Sequence, residues 1–549
     1  MTLPSGRRSV LVVLLALALA PYFVGLGDSA IWDANEAFYV QTPREMLARG
    51  DLLNPSFNSQ PRFNKPPLNY WIVAGFYQVF GDTVAVERLA ITLGVLILIA
   101  AAFGVGRAVF SVEAGLLAAL AVVSAPRVLM FARRIFIDVY ITMFLGLALL
   151  CFVLAESRPE HRRRYLALMY VAIGLGFLTK GPIALVLPGL VILVYLAVHR
   201  RLRDLCGLML PTGALIVAAI VLPWYIAIYA EHGWVYIKKF FIEENLSRYT
   251  APYGEKVDER GVLFYVPVLL TDLFPWSLFG VAALAVFARR WWRDRSSSRP
   301  ALLVLWVAVI VGFFSLSQSK QDLYIFPAVT ALAALAGGLI ARGIGDGAKA
   351  WPVARWVAAI VGALCLAAGA GVLHLFASPA RVYAIEGATA AGWVAIAGGA
   401  VTLALAWRQR TFGAVVTMAL AVIAINWIFV LQGLPSFRKY QPVPAMAERI
   451  RASAGPRARV GYYKMGLPSL VYYAGRPVFE TFHPDQVVEV FASGEAWCLM
   501  RASDYAEIRN ALPVPTCVKA AEPIFDVKIG NVLALKPLPE LLLVSNACE

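Results

Sequence analysis

Thirteen long apolar runs divide the chain, with polar segments between them. They cover 9–27, 84–107, 112–131, 138–155, 165–180, 181–198, 205–230, 262–288, 301–317, 324–341, 355–376, 389–407 and 411–432. Each is close to the roughly 17–25 residues that cross a bilayer core as a helix. The runs are unbroken, whereas a transmembrane strand alternates apolar and polar positions. The pattern predicts a polytopic α-helical membrane protein of about 13 spans.

Three longer polar parts remain: 28–83, 231–261 and the tail 437–549. Within the first, the spacing predicts two amphipathic helices at the membrane surface, over 36–49 and 67–80. In the tail, short runs at 460–463, 469–473 and 531–535 read as strands, with a helix near 504–511. The expected organisation is a membrane domain, 1–436, followed by a small outer α/β domain, 437–549. No repeat of 20–50 residues is visible, which argues against a solenoid.

Composition agrees. The 549 residues are 60% hydrophobic and only 15% charged, far from a soluble domain. The net charge of +15 falls almost wholly on the segments that share a side with the N-terminus. This is the positive-inside pattern. It puts the N-terminus in the cytoplasm and the two long loops and the tail outside, and it gives no reason for a nucleic-acid partner. The Arg7-Arg8 start could pass for a signal peptide, but Pro21 stands just after the would-be cut at Ala18-Leu19-Ala20, so an uncleaved anchor is expected. Cys498, Cys517 and Cys548 lie in the outer tail, where a Cys498–Cys517 disulfide is one option.

Ionisable residues gather at the outer ends of the spans, where such groups are costly and tend to be functional. They are Asp33, Glu36, Arg62 and Lys65; Arg133, Arg134 and Asp138; Lys180; Glu244, Arg248, Glu255, Asp258, Glu259 and Arg260; and Lys320 and Asp322, with Tyr324 close by. Convergence on one pocket explains this bias. Lysines and arginines at the headgroup plane suit a lipid phosphate. Carboxylates beside them suit acid–base work or recognition of sugar hydroxyls. Together they point to transfer of a group carried on a lipid phosphate. The rivals are a lipid or solute transporter, whose ligands sit nearer the bilayer midplane, and a non-catalytic assembly factor.

The stretch Trp32-Asp33-Ala34-Asn35-Glu36-Ala37-Phe38-Tyr39, then Pro61-Arg62-Phe63-Asn64-Lys65-Pro66-Pro67, resembles the first outer loop of the aminoarabinose transferase and protein O-mannosyltransferase superfamily. Arg134-x-x-x-Asp138, Lys180-Gly-Pro, Glu244-Asn245-Leu-x-Arg248, Phe274-Pro-Trp276 and Ser319-Lys320-x-x-x-Tyr324 follow in the same order. Leu470-Val-Tyr-Tyr-Ala-Gly-Arg-Pro477 is similar to the outer domain of the aminoarabinose-type members. The resemblance implies a GT-C glycosyltransferase, inverting, with a polyprenyl-phosphate sugar as donor.

The resemblance also implies roles. Asp33, Glu36 and Asp138 are the candidate catalytic carboxylates. Lys65, Arg134, Lys180, Arg248, Lys320 and Tyr324 are candidates for the donor phosphate. Tyr39, Arg62, Asn64, Glu244 and Asn245 are candidates for the rest of the substrate. Two departures from the family pattern stand out. Its usual Asp-Glu pair is Asn35-Glu36 here, and the acid before Lys-Pro-Pro, which joins a zinc site with histidines in aminoarabinose transferases, is Asn64. None of the five histidines matches. No metal or other cofactor is therefore expected. The sugar is left open among aminoarabinose, a neutral hexose or pentose, and a uronic acid. The expected partners are membrane lipids, the polyprenyl-phosphate donor and a glycolipid acceptor, with lipid A or its core first, an envelope polysaccharide precursor next, and a protein third. A monomer in a bacterial inner membrane is expected.

Overall fold

A computed structural model describes residues 5–33, 35–250, 261–294, 298–344, 352–377, 381–525 and 529–548. Glu255, Asp258, Glu259 and Arg260, and Ala34 of the first motif, lie outside them.

All thirteen apolar runs fall on helices, but they are not all alike. Among the described residues eight helices are long and apolar enough to cross a membrane, or nine if the bent pair Val112–Ser124 and Pro126–Arg133 (55°) is one span. Ile183–Val198, Val262–Thr271 and Arg299–Ser315 are apolar but shorter. The run 262–288 divides into Tyr265–Thr271 and Trp276–Arg293 around Asp272 and Pro275. The count of thirteen is therefore not reached by length and composition.

Small residues set the packing, as expected where lipid gives helices no hydrophobic reason to associate. A Cβ on Gly362 would lie 2.8 Å from the Gly399 carbonyl oxygen, so Pro352–Ala377 and Ala388–Trp407 cross at backbone contact. Some buried polar atoms tie helices that are distant in sequence. The Ser124 hydroxyl accepts from Trp276 Nε1 at 2.8 Å, and its carbonyl accepts from Asn426 Nδ2 at 2.8 Å.

The loop 28–83 contains the two expected helices, Asn35–Arg49 and Leu68–Phe80. Between them β1 (Ser56–Phe57) and β2 (Gln60–Pro61) form a short antiparallel ladder.

The tail forms a five-stranded mixed sheet. Its strands are β3 (Arg459–Tyr463), β4 (Val478–Thr481), β5 (Ala496–Arg501), β6 (Cys517–Pro523) and β7 (Glu540–Ser545), in the order β4-β3-β5-β7-β6. β3 is parallel to both β4 and β5, which requires crossovers, and short helices supply them. Side chains alternate between two cores. Trp497, Leu499, Leu541 and Leu543 pack on one face; Cys498, Met500, Leu542 and Val544 pack on the other.

Two expected strands are helices. Ser469–Ala474 is helical despite its β-prone Val and Tyr residues. Pro468 precedes it with helical backbone angles, Asp33 accepts from the Ser469 N–H, and left-handed Gly475 (φ 65°) ends it. Ile529–Leu533 is also helical. The helix expected near 504–511 is present as Ala502–Ile508 followed by a 3-10 turn. The optional Cys498–Cys517 disulfide is absent. Both cysteines are free, and β7 lies between their strands. Cys517 and Cys548 instead share the Ser545 carbonyl.

The first loop is clamped to this sheet domain. Asp33 binds Ser469, the Tyr473 hydroxyl oxygen accepts from the Ile31 N–H at 2.8 Å, and the Asn58 amide spans Val478.

Candidate active site

A cavity of about 680 Å³ opens at one end of the helices. Its polar lining includes Asn35, Tyr39, Lys65, Asp138, Lys180, Glu244, Asn245, Arg248 and Tyr324. Its apolar wall includes Ile183, Val186, Phe313, Phe314 and Leu323. Eight of the sequence candidates thus converge from segments more than 280 positions apart.

Two ionic groups organise it. In the first, Lys180 ends helix Arg162–Lys180 and pairs with Asp138, the first residue of Asp138–Ser157. Gly181 makes this turn feasible, because its φ is 83° and a Cβ would meet the Phe240 ring at 2.5 Å. Lys180 Nζ also lies 5.6 Å from the Tyr324 ring centroid.

The second group centres on Glu244, which is buried. It accepts from Asn64 Nδ2 at 2.8 Å, pairs with Arg248 at 2.9 Å and stands 3.9 Å from Lys65. A π-helical stretch, Lys238–Ser247, carries Glu244, and such widened turns recur at functional sites. Within it, Asn245 Nδ2 donates to the Phe240 carbonyl at 2.7 Å. Burial, the largest influence, pushes the Lys65 ammonium down to about 8; Glu244 opposes this, while Lys180 and Arg248 add to it. The Tyr39 phenol is held well above its usual range, chiefly by burial, and its ring stacks on Tyr70 at 5.8 Å.

The other candidates do not line this cavity. Glu36 is fully buried, pairs with Arg88 at 2.7 Å and accepts from the Trp32 N–H. Asp33 faces Ser469 and a second cavity. Arg134 stacks over Trp32 at 4.5 Å and Phe136 at 5.5 Å. Lys320 is buried and donates to the Ser317 carbonyl at 2.7 Å. Arg62 lies over the Phe38 ring at 3.7 Å. Asn64 reaches the site only through Glu244.

Sequence reasoning missed the cavity residues Tyr249 and Gln321, and the buried Arg88 that holds Glu36. Arg88 had a signal, being a cation near the start of an apolar span. Tyr249 and Gln321 had none.

Zinc does not fit this donor set. Among the described residues no group of three or more His, Cys, Asp and Glu could hold a metal. Asn64 is engaged with Glu244, and the His232 ring meets Asn54 Oδ1 at 2.7 Å.

Helices of this kind around a one-sided site of cations and carboxylates define a membrane-embedded transferase architecture, and the comparisons identify it. Residues 8–240 match the family described as dolichyl-phosphate-mannose-protein mannosyltransferase. The chain is 32% identical over 418 residues to the undecaprenyl phosphate-α-4-amino-4-deoxy-L-arabinose arabinosyl transferase of Aeromonas salmonicida, covering 73% of this chain and 74% of that one. It is 32% identical over 340 residues to the enzyme of that name from Pseudomonas aeruginosa strain LESB58, covering 61% of this chain. That match spans 60% of the relative's own length. In fold, it is similar to ArnT from Cupriavidus metallidurans bound to undecaprenyl phosphate, with TM-score 0.79, 24% identity and 98% of each chain covered. The archaeal oligosaccharyltransferase AglB from Archaeoglobus fulgidus follows with TM-score 0.54 and 14% identity, over 90% of this chain and 69% of that one. The chain belongs to the GT-C superfamily of aminoarabinose transferases and protein O-mannosyltransferases, and it is a multi-pass membrane protein.

Proposed function

We propose that the protein transfers a sugar from a polyprenyl-phosphate donor to a glycolipid on the outer face of a bacterial inner membrane, lipid A or its core first. The N-terminus is cytoplasmic and the sheet domain periplasmic. The observation that carries this reading is the cavity in which Lys65, Lys180 and Arg248 meet Asp138 and Glu244 beside an apolar wall. An apolar wall suits a prenyl chain, and the cations suit its phosphate. The names of the relatives support the same donor.

The acceptor oxygen attacks the anomeric carbon, and the bond from that carbon to the phosphate oxygen breaks with its electron pair on the phosphate. Lys65, Lys180 and Arg248 offset the charge that develops there. When Lys180 turns to the phosphate, Asp138 is released to take the proton of an acceptor hydroxyl; an acceptor phosphate needs no base. Glycosidases protonate a poor leaving oxygen with a second carboxylic acid, but a phosphate leaves without one. The protein works as a monomer and without a metal.

The test is transfer in detergent from undecaprenyl-phosphate-linked sugars to lipid A, followed by mass spectrometry. A sugar-sized mass gain on lipid A with release of undecaprenyl phosphate is expected. Unchanged lipid A across aminoarabinose, hexose, pentose and uronic acid donors would overturn the acceptor assignment.

A further inference from the structure

Two thiols meet at the edge of the sheet domain. Cys517 opens β6, the edge strand, and stands opposite Ser545 at the end of β7 in the antiparallel ladder. Cys517 Sγ lies 3.3 Å from the Ser545 carbonyl oxygen and 3.7 Å from that of Ala547. Cys548 Sγ lies 3.8 Å from the same Ser545 oxygen. Both cysteines are free thiols in this structure, Cys548 exposed and Cys517 half-buried. We propose that in the cell they are joined as a Cys517–Cys548 disulfide, which ties the edge strand to the segment after β7. This modification rests on the reading of the sheet domain as periplasmic, an oxidising compartment.

The backbone after β7 brings the pair together. Asn546 Oδ1 accepts from the Ala496 N–H at 2.9 Å, and its Nδ2 donates to the Gly494 carbonyl at 2.8 Å. The Ala547 N–H donates to the Ser545 hydroxyl at 3.0 Å. These bonds hold 546–548 against the start of β6. A disulfide demands two side chains that face one another at short range, and here one carbonyl oxygen receives both sulfurs. Cys548 also acts on Cys517 directly: after burial, the largest influence, it raises the Cys517 thiol above its ordinary value, which Lys519 opposes. The other cysteines are elsewhere. Cys498 is on β5, with β7 between it and Cys517. Cys151, Cys206 and Cys365 belong to the membrane domain.

The oxidant is a disulfide, carried by a dithiol–disulfide exchange protein. The exposed Cys548 thiolate attacks one of its sulfurs, which forms a mixed disulfide and expels the first oxidant thiolate. The Cys517 thiolate then attacks the Cys548 sulfur, closes the bond and expels the second. Two electrons pass to the oxidant, and the two cysteine protons end on its two thiols. The bond has a structural use. β6 has β7 as its one neighbour in the sheet, and their ladder is irregular between Val518 and Ala520. A link at Cys517 pins the strand at its first residue, ahead of that irregularity.

The test starts from bacterial membranes that contain the full chain. Free thiols are trapped with N-ethylmaleimide under denaturing conditions, and the protein is digested and mapped by mass spectrometry. The Cys517 and Cys548 peptides are expected to be linked, lighter by two hydrogens than the two reduced peptides together, with the other four cysteines alkylated. Cys517→Ser and Cys548→Ser are each expected to lose the linked peptide. Reductant is expected to lower the thermal midpoint of wild type and of neither variant. A membrane-impermeant maleimide on spheroplasts is expected to label Cys548 in Cys517→Ser, and not in wild type. Alkylation of Cys517 and Cys548 in unreduced wild type, with Cys548 of Cys517→Ser labelled from outside, overturns the proposal. If Cys548 is labelled only after the inner membrane is broken, the periplasmic reading fails. Purified protein in detergent with oxidised glutathione then decides the pairing: the linked peptide supports it, and glutathione on both cysteines without a link overturns it.

Discussion

Asp33 grips Ser469 with both carboxylate oxygens, Oδ1 accepting the backbone N–H at 2.7 Å and Oδ2 the hydroxyl at 2.7 Å, across 436 positions of chain. The contact joins the first long loop to the sheet domain. Burial raises the carboxyl from 3.8 to about 6; the Ser469 bonds oppose this, and Glu36 adds to it. The folded state thus holds this proton more tightly than the unfolded chain. The associated stability is fully present below about pH 4 and is lost as pH rises through about 6. Thermal unfolding in detergent is expected to show a midpoint that declines across this window. Asp33→Asn is expected to flatten the decline and to leave undecaprenyl phosphate affinity unchanged. An equal decline in the variant would assign the pH effect to other groups.

Glu36 and Arg88 have no exposure at all. Arg88 also donates to the carbonyls of Leu26, Ser29 and Ala30, so the pair fixes the segment leading into Asn35. Breaking a buried pair by removing one partner costs about 3–5 kcal/mol. Glu36→Gln is expected to lose folded yield and thermal stability, with kcat nearly retained in the folded fraction. A stable variant whose kcat falls a hundredfold would instead make Glu36 a catalytic residue.

The helical architecture and the two surface helices of the first loop were legible because they depend on local spacing. That charged residues such as Asp138 and Lys180 line one cavity was legible because ionisable residues at the ends of apolar runs have few other uses. What was not legible depends on contacts distant in sequence. Ser469-Leu-Val-Tyr-Tyr reads as a strand until Asp33 is placed at its N-terminus. Glu36 and Asp33 are candidate carboxylates in the sequence, which does not reveal that Arg88 and Ser469 are their partners. The Cys498–Cys517 option stayed open in the sequence because chain order does not show that β7 lies between β5 and β6.

Asp138 is the carboxylate in the cavity whose partner, Lys180, a donor phosphate can take. The Asn variant keeps the size of the side chain and removes both its charge and its basicity. Loss of a general base typically lowers rate about 10²–10⁴-fold. Asp138→Asn is expected to lower kcat within that range for a hydroxyl acceptor while undecaprenyl phosphate binds more tightly, since Lys180 loses its competing partner. Lys180→Gln is expected to weaken phosphate binding and turnover together. Titration of undecaprenyl phosphate beside single-turnover rates separates the two effects. A normal single-turnover rate in Asp138→Asn would remove the base from the mechanism.

Lys65 is expected to give the site an alkaline limit. Its ammonium, held down to about 8 by burial, attracts the phosphate by charge only while it is protonated. Phosphate binding therefore takes up a proton above pH 8, and affinity for undecaprenyl phosphate is expected to fall as pH rises through about 8. An unperturbed lysine would hold to about 10.5. Glu244 raises the Lys65 pKa through the 3.9 Å pair, so its loss acts in a known direction. Glu244→Gln is expected to move the alkaline limb of the binding curve to lower pH. Lys65→Ala is expected to abolish that limb and weaken binding at neutral pH. Lys65→Arg is expected to keep the charge at high pH, because a guanidinium does not lose its proton there, but to restore binding only in part, since its planar fork differs from an ammonium. The check is a set of undecaprenyl phosphate titrations from pH 6.5 to 9.5. A limb at the same pH in wild type, Glu244→Gln and Lys65→Ala would show that another group sets it, and Lys65 would then have no role in holding the phosphate.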